Sequence, residues 1–377
     1  MVQIIEDAFG SVKDPITGFD ERVRRFTFSN DNGVSVQVIT YGATVTAIRM
    51  PDKYGNIADI VLGYDDLEGY RSKSNPYFGA TVGRVCNRIG FGQFNLNGKH
   101  FEVDKNLNGM HQLHGGTVGF DKFNWQAYQS NSKVVMTHVN PDGYQGYEGT
   151  VMAQVTYELH PDNTFSGKYT ATVSKPTPIN LTNHSYFNLA GHDKGHTEIY
   201  NHVVTLNADR YTLTDKDSIP TGQFQNVTGT NYDLRVGCNL GQYIAKLKNN
   251  GYDDNFCVTR GTDQSLTFAA RVAHPKSGRV LEVYSDQPGV QFYTSNGMPD
   301  PNNQIYPEGK PHDDKPMSDA NEPIFGKDGA LYFKHGAFCL ETQNYPDAVN
   351  HPNFPNSIVY PGEVYKHEFT YKLFCSS

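Results

Sequence analysis

Apolar and polar residues alternate along most of this chain, and this period of two constrains the fold more than any other feature. Val34, Val36 and Val38 alternate with Ser35 and Gln37. Such alternation places the apolar side chains on one face of a β-strand. Further candidates share short apolar runs bounded by Gly, Asn, Asp or Pro, and they lie near residues 134–139, 151–159, 169–173, 203–206, 265–272, 280–284, 290–294, 338–342 and 369–373.

Helical spacing is best at residues 240–247, which predicts one short connecting helix. The strands do not alternate with helices, as a parallel sheet would require. We therefore predict an all-β protein, a large antiparallel β-sandwich with few short helices. No linker or strong internal repeat divides the chain, so one domain is expected over residues 1–377. Residues 297–329 are rich in Pro, Asn, Asp and Lys, which predicts a polar surface insertion.

Charge and cysteine content argue against several classes of protein. The net charge is −8 without a basic cluster, which argues against nucleic-acid and membrane partners. No apolar stretch approaches the ~20 residues that cross a bilayer, and the first residues lack a signal-peptide pattern. The five cysteines are widely spaced without a CxxC pair, which favours reduced thiols over disulfides or structural zinc. We expect a cytoplasmic protein that is a monomer or a weak homodimer.

Four polar segments stand where a strand end or a tight turn is expected: residues 83–90, 111–116, 183–191 and 341–348. Their His, Arg, Asn and Glu side chains suit proton transfer and hydroxyl recognition. No glycine loop for phosphate precedes a helix, and no GxSxG nucleophile turn is present. His111 and His114 have the spacing of metal ligands, but no carboxylate or cysteine follows at a suitable spacing. We therefore predict no metal site.

Six strings over most of the chain, from about residue 25 onwards, resemble the successive motifs of the galactose mutarotase (aldose 1-epimerase) family. In order they are PYFGATVGRVCNRIGFGQF, LHGGTVGFDKFNW, NLTNHSYFNLAG, GYDDNF, PGVQFYTSN and FCLETQNYPDAVNHPNFP. The resemblance implies a large antiparallel β-sandwich and the interconversion of α and β anomers of free hexoses, such as galactose and glucose, without a cofactor. Two departures are Cys86, where the family often has a small residue, and the long 297–329 segment.

The resemblance also implies roles for individual residues. It makes His184 the acid and Glu341 the base, and it places six residues against the sugar: Asn87, Arg88, His114, Asp253, Gln291 and Phe187, or an aromatic near Phe187. The reaction removes a proton from the anomeric hydroxyl and delivers one to the ring oxygen, which suits a carboxylate and an imidazolium. Two consecutive glycosylation sequons, at Asn180 and Asn183, precede and include this acid. Because a glycan there would block the site, they favour the cytoplasm.

Two alternatives remain open from the sequence. One is an epimerase of a phosphorylated hexose, which would need a cluster of Arg and Lys. Only Arg84 and Arg88 are found near the candidate site, which disfavours this alternative. The other is a non-catalytic protein that binds or senses a sugar. Polarimetry separates it from an enzyme, because a binder does not accelerate the equilibration of anomers.

Overall fold

The computed structural model describes residues 1–247, 251–262, 265–302 and 322–376. Within these ranges the chain forms thirty β-strands and two short α-helices, α1 (Leu67–Arg71) and α2 (Leu240–Ile244). The first strands are β1 (Val2–Lys13), β2 (Asp20–Asn30), β3 (Ser35–Ile39), β4 (Thr44–Pro51), β5 (Ile57–Asp59), β6 (Thr81–Val82), β7 (Arg88–Ile89), β8 (Gln93–Leu96), β9 (Lys99–Glu102) and β10 (Gln112–Leu113).

The central strands are β11 (Gln126–Ser130), β12 (Lys133–Asn140), β13 (Val151–Leu159), β14 (Thr164–Val173), β15 (Thr177–Pro178), β16 (Thr182–Asn183), β17 (Tyr186–Phe187), β18 (Val203–Leu206), β19 (Ala208–Thr214) and β20 (Pro220–Asn226). The last strands are β21 (Cys238–Asn239), β22 (Asp253–Val258), β23 (Thr267–Ala273), β24 (Arg279–Ser285), β25 (Gly289–Tyr293), β26 (Ile324–Phe325), β27 (Leu331–Tyr332), β28 (Phe338–Gln343), β29 (Ile358–Val359) and β30 (Tyr365–Cys375). Short 3-10 helices lie at Gly90–Gly92, Phe120–Lys122, Tyr144–Gly146, His192–Lys194, His196–Asn201, Lys327–Gly329 and Ala348–Asn350.

Three antiparallel sheets make up most of the molecule. One has nine strands in the order β11-β12-β13-β14-β30-β24-β23-β18-β21. The second has six strands, β17-β28-β25-β22-β19-β20, and the third has five, β1-β2-β3-β4-β5. Neighbouring strands within these three sheets are antiparallel. The predicted all-β antiparallel class is confirmed.

One apolar core joins the three sheets. In β13, buried and more exposed residues alternate, and Val155 and Tyr157 are both 0% exposed. The same core contains Phe28 of the five-stranded sheet and Leu340 of the six-stranded sheet. Burial of apolar surface at roughly 25 cal/mol per Å² is the main force holding such layers together. The core therefore fixes how the six-stranded sheet, which carries the candidate site, is oriented.

Several sequence predictions are confirmed at the level of single elements. The strands expected at residues 151–159 and 203–206 have those bounds in β13 and β18. The predicted helix at 240–247 is present as α2, but it ends at Ile244. The long hairpin of β1 and β2 was not predicted as strand. Most side chains of β1 are exposed, so the strand has little apolar alternation to reveal it.

The predicted surface insertion lies partly outside the described residues, which omit 303–321. Its described C-terminal end is only partly at the surface, where Asp328 and Gly329 are exposed. Ile324 is buried, and the Lys327 ammonium lies 2.8 Å from Asp59 Oδ2 and 2.8 Å from the Thr46 carbonyl oxygen. A buried ammonium needs such partners, so this ion pair attaches the end of the segment to β4 and β5.

Neither α1 nor α2, nor any other helix in the described ranges, is long and apolar enough to cross a lipid bilayer.

Candidate active site

Glu341 lies in the middle of β28, a strand whose six residues are all buried. The antiparallel register places it directly across from Gln291 of β25. Its side chain is almost fully buried, and Oε2 accepts no hydrogen bond from the described residues. Burial raises the pKa of Glu341 well above its usual value, the charge of Asp253 raises it further, and Arg88 opposes the shift. A strongly perturbed pKa at a buried carboxyl is typical of groups that exchange protons in catalysis.

His184 lies between β16 and β17 and faces Glu341. Its backbone is fixed on both sides, because its N–H donates to the Ala80 carbonyl and its carbonyl accepts from the Gly79 N–H, both at 2.9 Å. The imidazole Nε2 is 3.6 Å from Glu341 Oε2, too long for a direct hydrogen bond. Tyr186 stacks on the imidazole with ring centroids 5.0 Å apart. Burial lowers the pKa of His184 to about 4.

These two pKa shifts alter the expected charge state of the pair. The sequence-based expectation was a carboxylate facing an imidazolium. Burial instead favours the neutral form of each group, so a single proton on the pair is held by Glu341 in preference to His184. Between the two pKa values the pair still holds one proton in total, which moves between coupled sites.

His114 completes the buried cluster and is held in one tautomer. Its backbone N–H donates to the Asn87 carbonyl at 2.9 Å, and its ring Nδ1 accepts the Asn87 backbone N–H at 3.1 Å. A neutral ring that accepts at Nδ1 carries its proton on Nε2. Burial lowers the pKa of His114 well below its usual value, and the positive charges of His184, Arg88 and Lys122 add to this. His114 therefore offers a neutral N–H donor to a substrate oxygen.

The two glycines after His114 explain why the LHGG string has this composition. Gly115 has a φ of +88°, in the left-handed region that glycine tolerates. A Cβ at this position would lie 2.0 Å from the Gly83 carbonyl oxygen. Only glycine allows the loop to approach this closely, and the approach holds His114 beside the 83–90 segment.

His114, His184 and Glu341 are also the residues that could hold a metal ion, because their potential ligand atoms all lie within 4.8 Å of one another. The tautomer of His114 counts against this use. Its Nε2 carries the proton, and its Nδ1 already accepts from a backbone N–H. Two ligands remain, fewer than the three protein ligands typical of a catalytic zinc site. The cluster is better suited to exchanging protons with a hydroxylated ligand.

Polar groups extend from this cluster towards solvent. The Arg88 guanidinium is 3.3 Å from Asp253 Oδ2, and Gln291 Nε2 donates to Asp253 Oδ1 at 2.8 Å. Gln343 fixes the amide of Gln291 from behind, because its Nε2 donates to Gln291 Oε1 at 3.2 Å. The Asn87 side-chain oxygen accepts from the Arg88 backbone N–H at 3.0 Å. With the Asp253 side chain 31% exposed, this network places charged acceptors and donors at the solvent-facing end of the cluster.

The structure does not bring Phe187 to this site. Its ring is fully buried in the core, 5.7 Å from Phe338 and 5.3 Å from Tyr371 between centroids. Successive residues of a strand point to opposite faces. In β17 it is therefore Tyr186, and not Phe187, that reaches His184. The aromatic wall assigned to Phe187 has to come from other residues.

Sequence reasoning missed three residues that the structure brings to the site. Tyr186 could have been found from the period of two in β17. Gln343 could have been found from its position two residues after Glu341 in the same buried strand. Tyr77 contacts both His184 and His114, yet no sequence signal marks it, because the contact depends on how separate loops meet.

Comparisons with known proteins identify the family to which the chain belongs. The profile of the family described as aldose 1-epimerase matches residues 24–372, nearly the whole chain. The chain belongs to the aldose 1-epimerase family. It is 44% identical over 351 residues to the galactose mutarotase of Bos taurus, covering 93% of this chain and 94% of that one. It is 43% identical over 353 residues to the galactose mutarotase of Homo sapiens, covering 93% and 94%.

A solved structure supports the same assignment. The GalM/aldose epimerase homologue from C. elegans matches with a TM-score of 0.79 and 27% identity, covering 93% of this chain and 98% of that chain. Family membership therefore rests on sequence and fold together.

Proposed function

We propose that this member of the family is itself an aldose 1-epimerase that interconverts the α and β anomers of free hexoses such as galactose and glucose. One observation carries the proposal. A buried imidazole and a buried carboxyl, His184 and Glu341, stand 3.6 Å apart, with the imidazole of His114 beside them. Few reactions need one acid and one base without any other reactive group, and opening a hemiacetal ring is one of them.

The proposed reaction has three steps. Glu341, as carboxylate, takes the proton of the anomeric hydroxyl while His184, as imidazolium, gives its proton to the ring oxygen. The bond between C1 and the ring oxygen breaks, and the open aldehyde turns about the C1–C2 bond. The ring closes on the other face of the carbonyl, and both protons return. No atom is lost or gained, and the enzyme ends as it began.

The proposed reaction starts from the form in which Glu341 is a carboxylate and His184 is an imidazolium. Because burial favours neutral groups, this form is less populated than the one with a protonated Glu341 and a neutral His184. Arg88 counters this, since its charge lowers the pKa of Glu341 and so favours the carboxylate. We propose that the His114 N–H supports the oxygen on which negative charge develops. Asp253, Gln291, Asn87 and Arg88 are proposed to bind hydroxyls away from C1, and losing one would mainly raise KM.

A phosphorylated substrate finds little support. Of the two arginines near the site in sequence, Arg84 is buried and committed to the protein, donating to Asn140 Oδ1 and to the Glu148 carbonyl, both at 3.1 Å. Arg88 is paired with Asp253. A phosphate would need cations free to bind it, so a neutral sugar fits this site better.

We also propose that the chain folds as one domain, that it works as a monomer or weak homodimer, and that it is cytoplasmic. The single core shared by all three large sheets supports the first of these. For the last, Asn180 and Asn183 of the two sequons are both buried, so a glycan on either would conflict with the fold.

The test is polarimetry of fresh α-D-galactose and α-D-glucose at neutral pH with purified wild type, Glu341→Gln and His184→Asn. We expect rapid equilibration by the wild type, unchanged after dialysis against EDTA, and a loss of about 10²–10⁴-fold in each variant. His160→Asn, at a partly exposed histidine beside Glu158, is the matched control and should keep full activity. A folded wild type that accelerates neither sugar would overturn the proposal and favour a sugar-binding protein, and dependence on a metal would overturn its cofactor-free form.

A further inference from the structure

Tyr77 has an unusual backbone for a bulky residue. Its φ is +64°, in the left-handed region that side chains with a Cβ seldom adopt. The turn around it is well bonded, because the Tyr77 carbonyl accepts the Ala80 N–H at 3.0 Å and Asn75 Oδ1 accepts the Phe78 N–H at 3.1 Å. Two residues after Tyr77, Gly79 approaches the Val45 carbonyl oxygen so closely that no Cβ would fit. Strain maintained by its surroundings is frequent at functional sites and motivates a closer look at the ring.

The ring of Tyr77 contacts both histidines of the candidate site. Its centroid is 4.6 Å from that of His114 and 6.0 Å from that of His184, and it lies within 20° of parallel to the latter. Because Tyr186 stacks on His184 at 5.0 Å and 14°, two tyrosine rings run nearly parallel to one imidazole. The two histidines meet edge to face at 5.2 Å. Tyr77 is therefore the one of these two tyrosines whose ring contacts both imidazoles.

A cation holds Tyr77 in turn. The Lys122 ammonium lies 5.0 Å from the centroid of the Tyr77 ring and 2.5 Å from Asp121 Oδ2. A cation within about 6 Å of an aromatic ring is attracted to its electron-rich face. Asp121 is buried and fixes the ammonium in place. The ring is thereby held between a charged group and the two imidazoles.

The hydroxyl of Tyr77 differs from the ring. It has no hydrogen-bond partner among the described residues, and burial of the side chain raises the pKa of Tyr77 to about 12, so the phenol stays protonated at neutral pH. Since the side chain stands over the reacting histidines, this hydroxyl is placed to meet a ligand. The ring and the hydroxyl can therefore be separated by mutation.

We propose that Tyr77 is a positioning residue of the epimerase reaction, whose ring holds the imidazoles of His184 and His114 in their reacting orientation and excludes water from them, while its hydroxyl binds the sugar. This rests on the function proposed above. A misplacement of about 1 Å at a reacting group can cost on the order of 10² in rate, so the ring should affect kcat and the hydroxyl KM.

The first test is kinetic and compares Tyr77→Leu with Tyr77→Phe. Leucine has a similar volume and the same backbone strain but no ring, and we expect kcat to fall by about ten- to hundredfold. Phenylalanine keeps the ring, and we expect kcat within about twofold of the wild type and a higher KM. Tyr128→Leu, at a 70% exposed tyrosine, is the control and should change neither. Equal kcat in wild type and Tyr77→Leu, or an equal loss in Tyr77→Leu and Tyr77→Phe, would overturn the positioning role.

The second test reads the histidine directly and needs no substrate. The groups facing His184 are Glu341, His114, Tyr77, Tyr186 and, further off, Asp253. NMR titration of the His184 ring, assigned with His184→Asn, gives its pKa in each variant. Removing the Tyr77 ring lets water reach the imidazole, so the pKa should rise from about 4 towards the usual 6.5 in Tyr77→Leu and stay low in Tyr77→Phe.

The two tests separate failure of this inference from failure of the proposed function. A wild type without epimerase activity, but with the expected pKa rise in Tyr77→Leu, would overturn the function and leave the contact between Tyr77 and His184 supported. An active wild type whose His184 pKa is the same in Tyr77→Leu would overturn the inference alone. If Tyr77→Leu does not fold, Tyr77→Met takes its place, because it also lacks a ring.

Discussion

The nine-stranded and six-stranded sheets use their buried faces differently. In β13 the buried side chains are apolar, and Val155 and Leu159 belong to the apolar core. In β25 and β28 the buried side chains include Gln291, Glu341 and Gln343. Burial of apolar groups stabilises a fold, whereas burial of a carboxyl or amide costs stability unless it is paired. One sheet therefore provides the stability that the other uses to hold reactive groups out of water.

The largest expected effect comes from comparing one substitution in each sheet, Glu341→Gln in the six-stranded sheet and Leu159→Ala in the nine-stranded sheet. Glu341→Gln removes the reacting carboxyl, so activity should fall by about 10²–10⁴-fold. Leu159→Ala leaves a cavity in the core, so stability should fall by about 2–5 kcal/mol while kcat per folded molecule is retained. For each variant, polarimetry gives kcat, and thermal and urea unfolding give the stability.

The raised pKa of Glu341 also predicts whether Glu341→Gln is more or less stable than the wild type. The pKa of Glu341 is higher in the folded protein than in the unfolded chain. The free energy of unfolding therefore falls as the pH rises from the unfolded pKa to the folded pKa, because the unfolded chain loses this proton more easily. Removing Glu341 removes that penalty, so the variant should be at least as stable as the wild type, increasingly so as the pH rises. A less stable Glu341→Gln, or a Leu159→Ala with lost kcat, would break the division of roles between the sheets.

The second prediction concerns the pH dependence of kcat. The reaction needs one proton on the His184–Glu341 pair, and the pair holds one proton between the two pKa values. Activity should therefore fall on the acid side near the His184 pKa of about 4, where the pair gains a second proton. It should fall on the alkaline side near the raised pKa of Glu341, where the pair loses its last proton.

A pH–rate profile by polarimetry, with circular dichroism to confirm folding at each pH, checks this. An acid limb near the usual His value would contradict the effect of burial on His184. An alkaline limb at the usual value of an exposed glutamate would contradict the effect on Glu341.

The difference between the nine-stranded and six-stranded sheets also explains how far sequence alone could predict the structure. The regular strands β13 and β18 followed from alternation, because one face of each is apolar. The strand expected at 338–342 is present as β28, but both of its faces are buried, so no alternation marks the side chains that face the site, and a family resemblance was needed to single out Glu341. The contact of Tyr77 with two histidines depends on distant loops, and no local pattern encodes it. The low His184 pKa likewise depends on burial by the whole fold.

The third prediction changes a charge at the mouth of the site. Asp253 raises the pKa of Glu341 and binds Arg88 and Gln291. Asp253→Asn should therefore lower the pKa of Glu341 and move the alkaline limb of the pH profile to lower pH. It should also raise KM, by roughly tenfold for the loss of one charge-assisted hydrogen bond. Polarimetric rates measured over a range of pH and of sugar concentration give both the alkaline limb and KM.

Asp209→Asn is the matched control for the third prediction, because Asp209 is exposed and on another strand of the same sheet, β19. It should leave both readouts unchanged. An alkaline limb that stays in place in Asp253→Asn would show that Glu341 does not respond to this charge.

The smallest expected effect tests whether the polar network behind Glu341 tolerates the loss of a weak partner. Cys86 is buried, and its thiol donates to Gln343 Oε1 at 3.5 Å. Gln343 also donates to Gln291 and to Asn255 Oδ1, both at 3.2 Å, so two stronger bonds still fix its amide. Because a thiol is a weak donor, Cys86→Ala should change kcat and KM by less than about twofold and lower stability by about 1 kcal/mol for the small cavity.

Gln343→Leu removes the amide itself and is the comparison that gives the Cys86 result its meaning. Without Gln343 the Gln291 side chain loses the donor that sets its orientation, and its Nε2 no longer has to point at Asp253. KM should then rise by about tenfold, as for the direct loss of a polar contact, while Cys86→Ala stays near the wild type. If Cys86→Ala raised KM as much as Gln343→Leu, the thiol would be an essential member of the network, and the small residue common in the family at this position would need a different partner for Gln343.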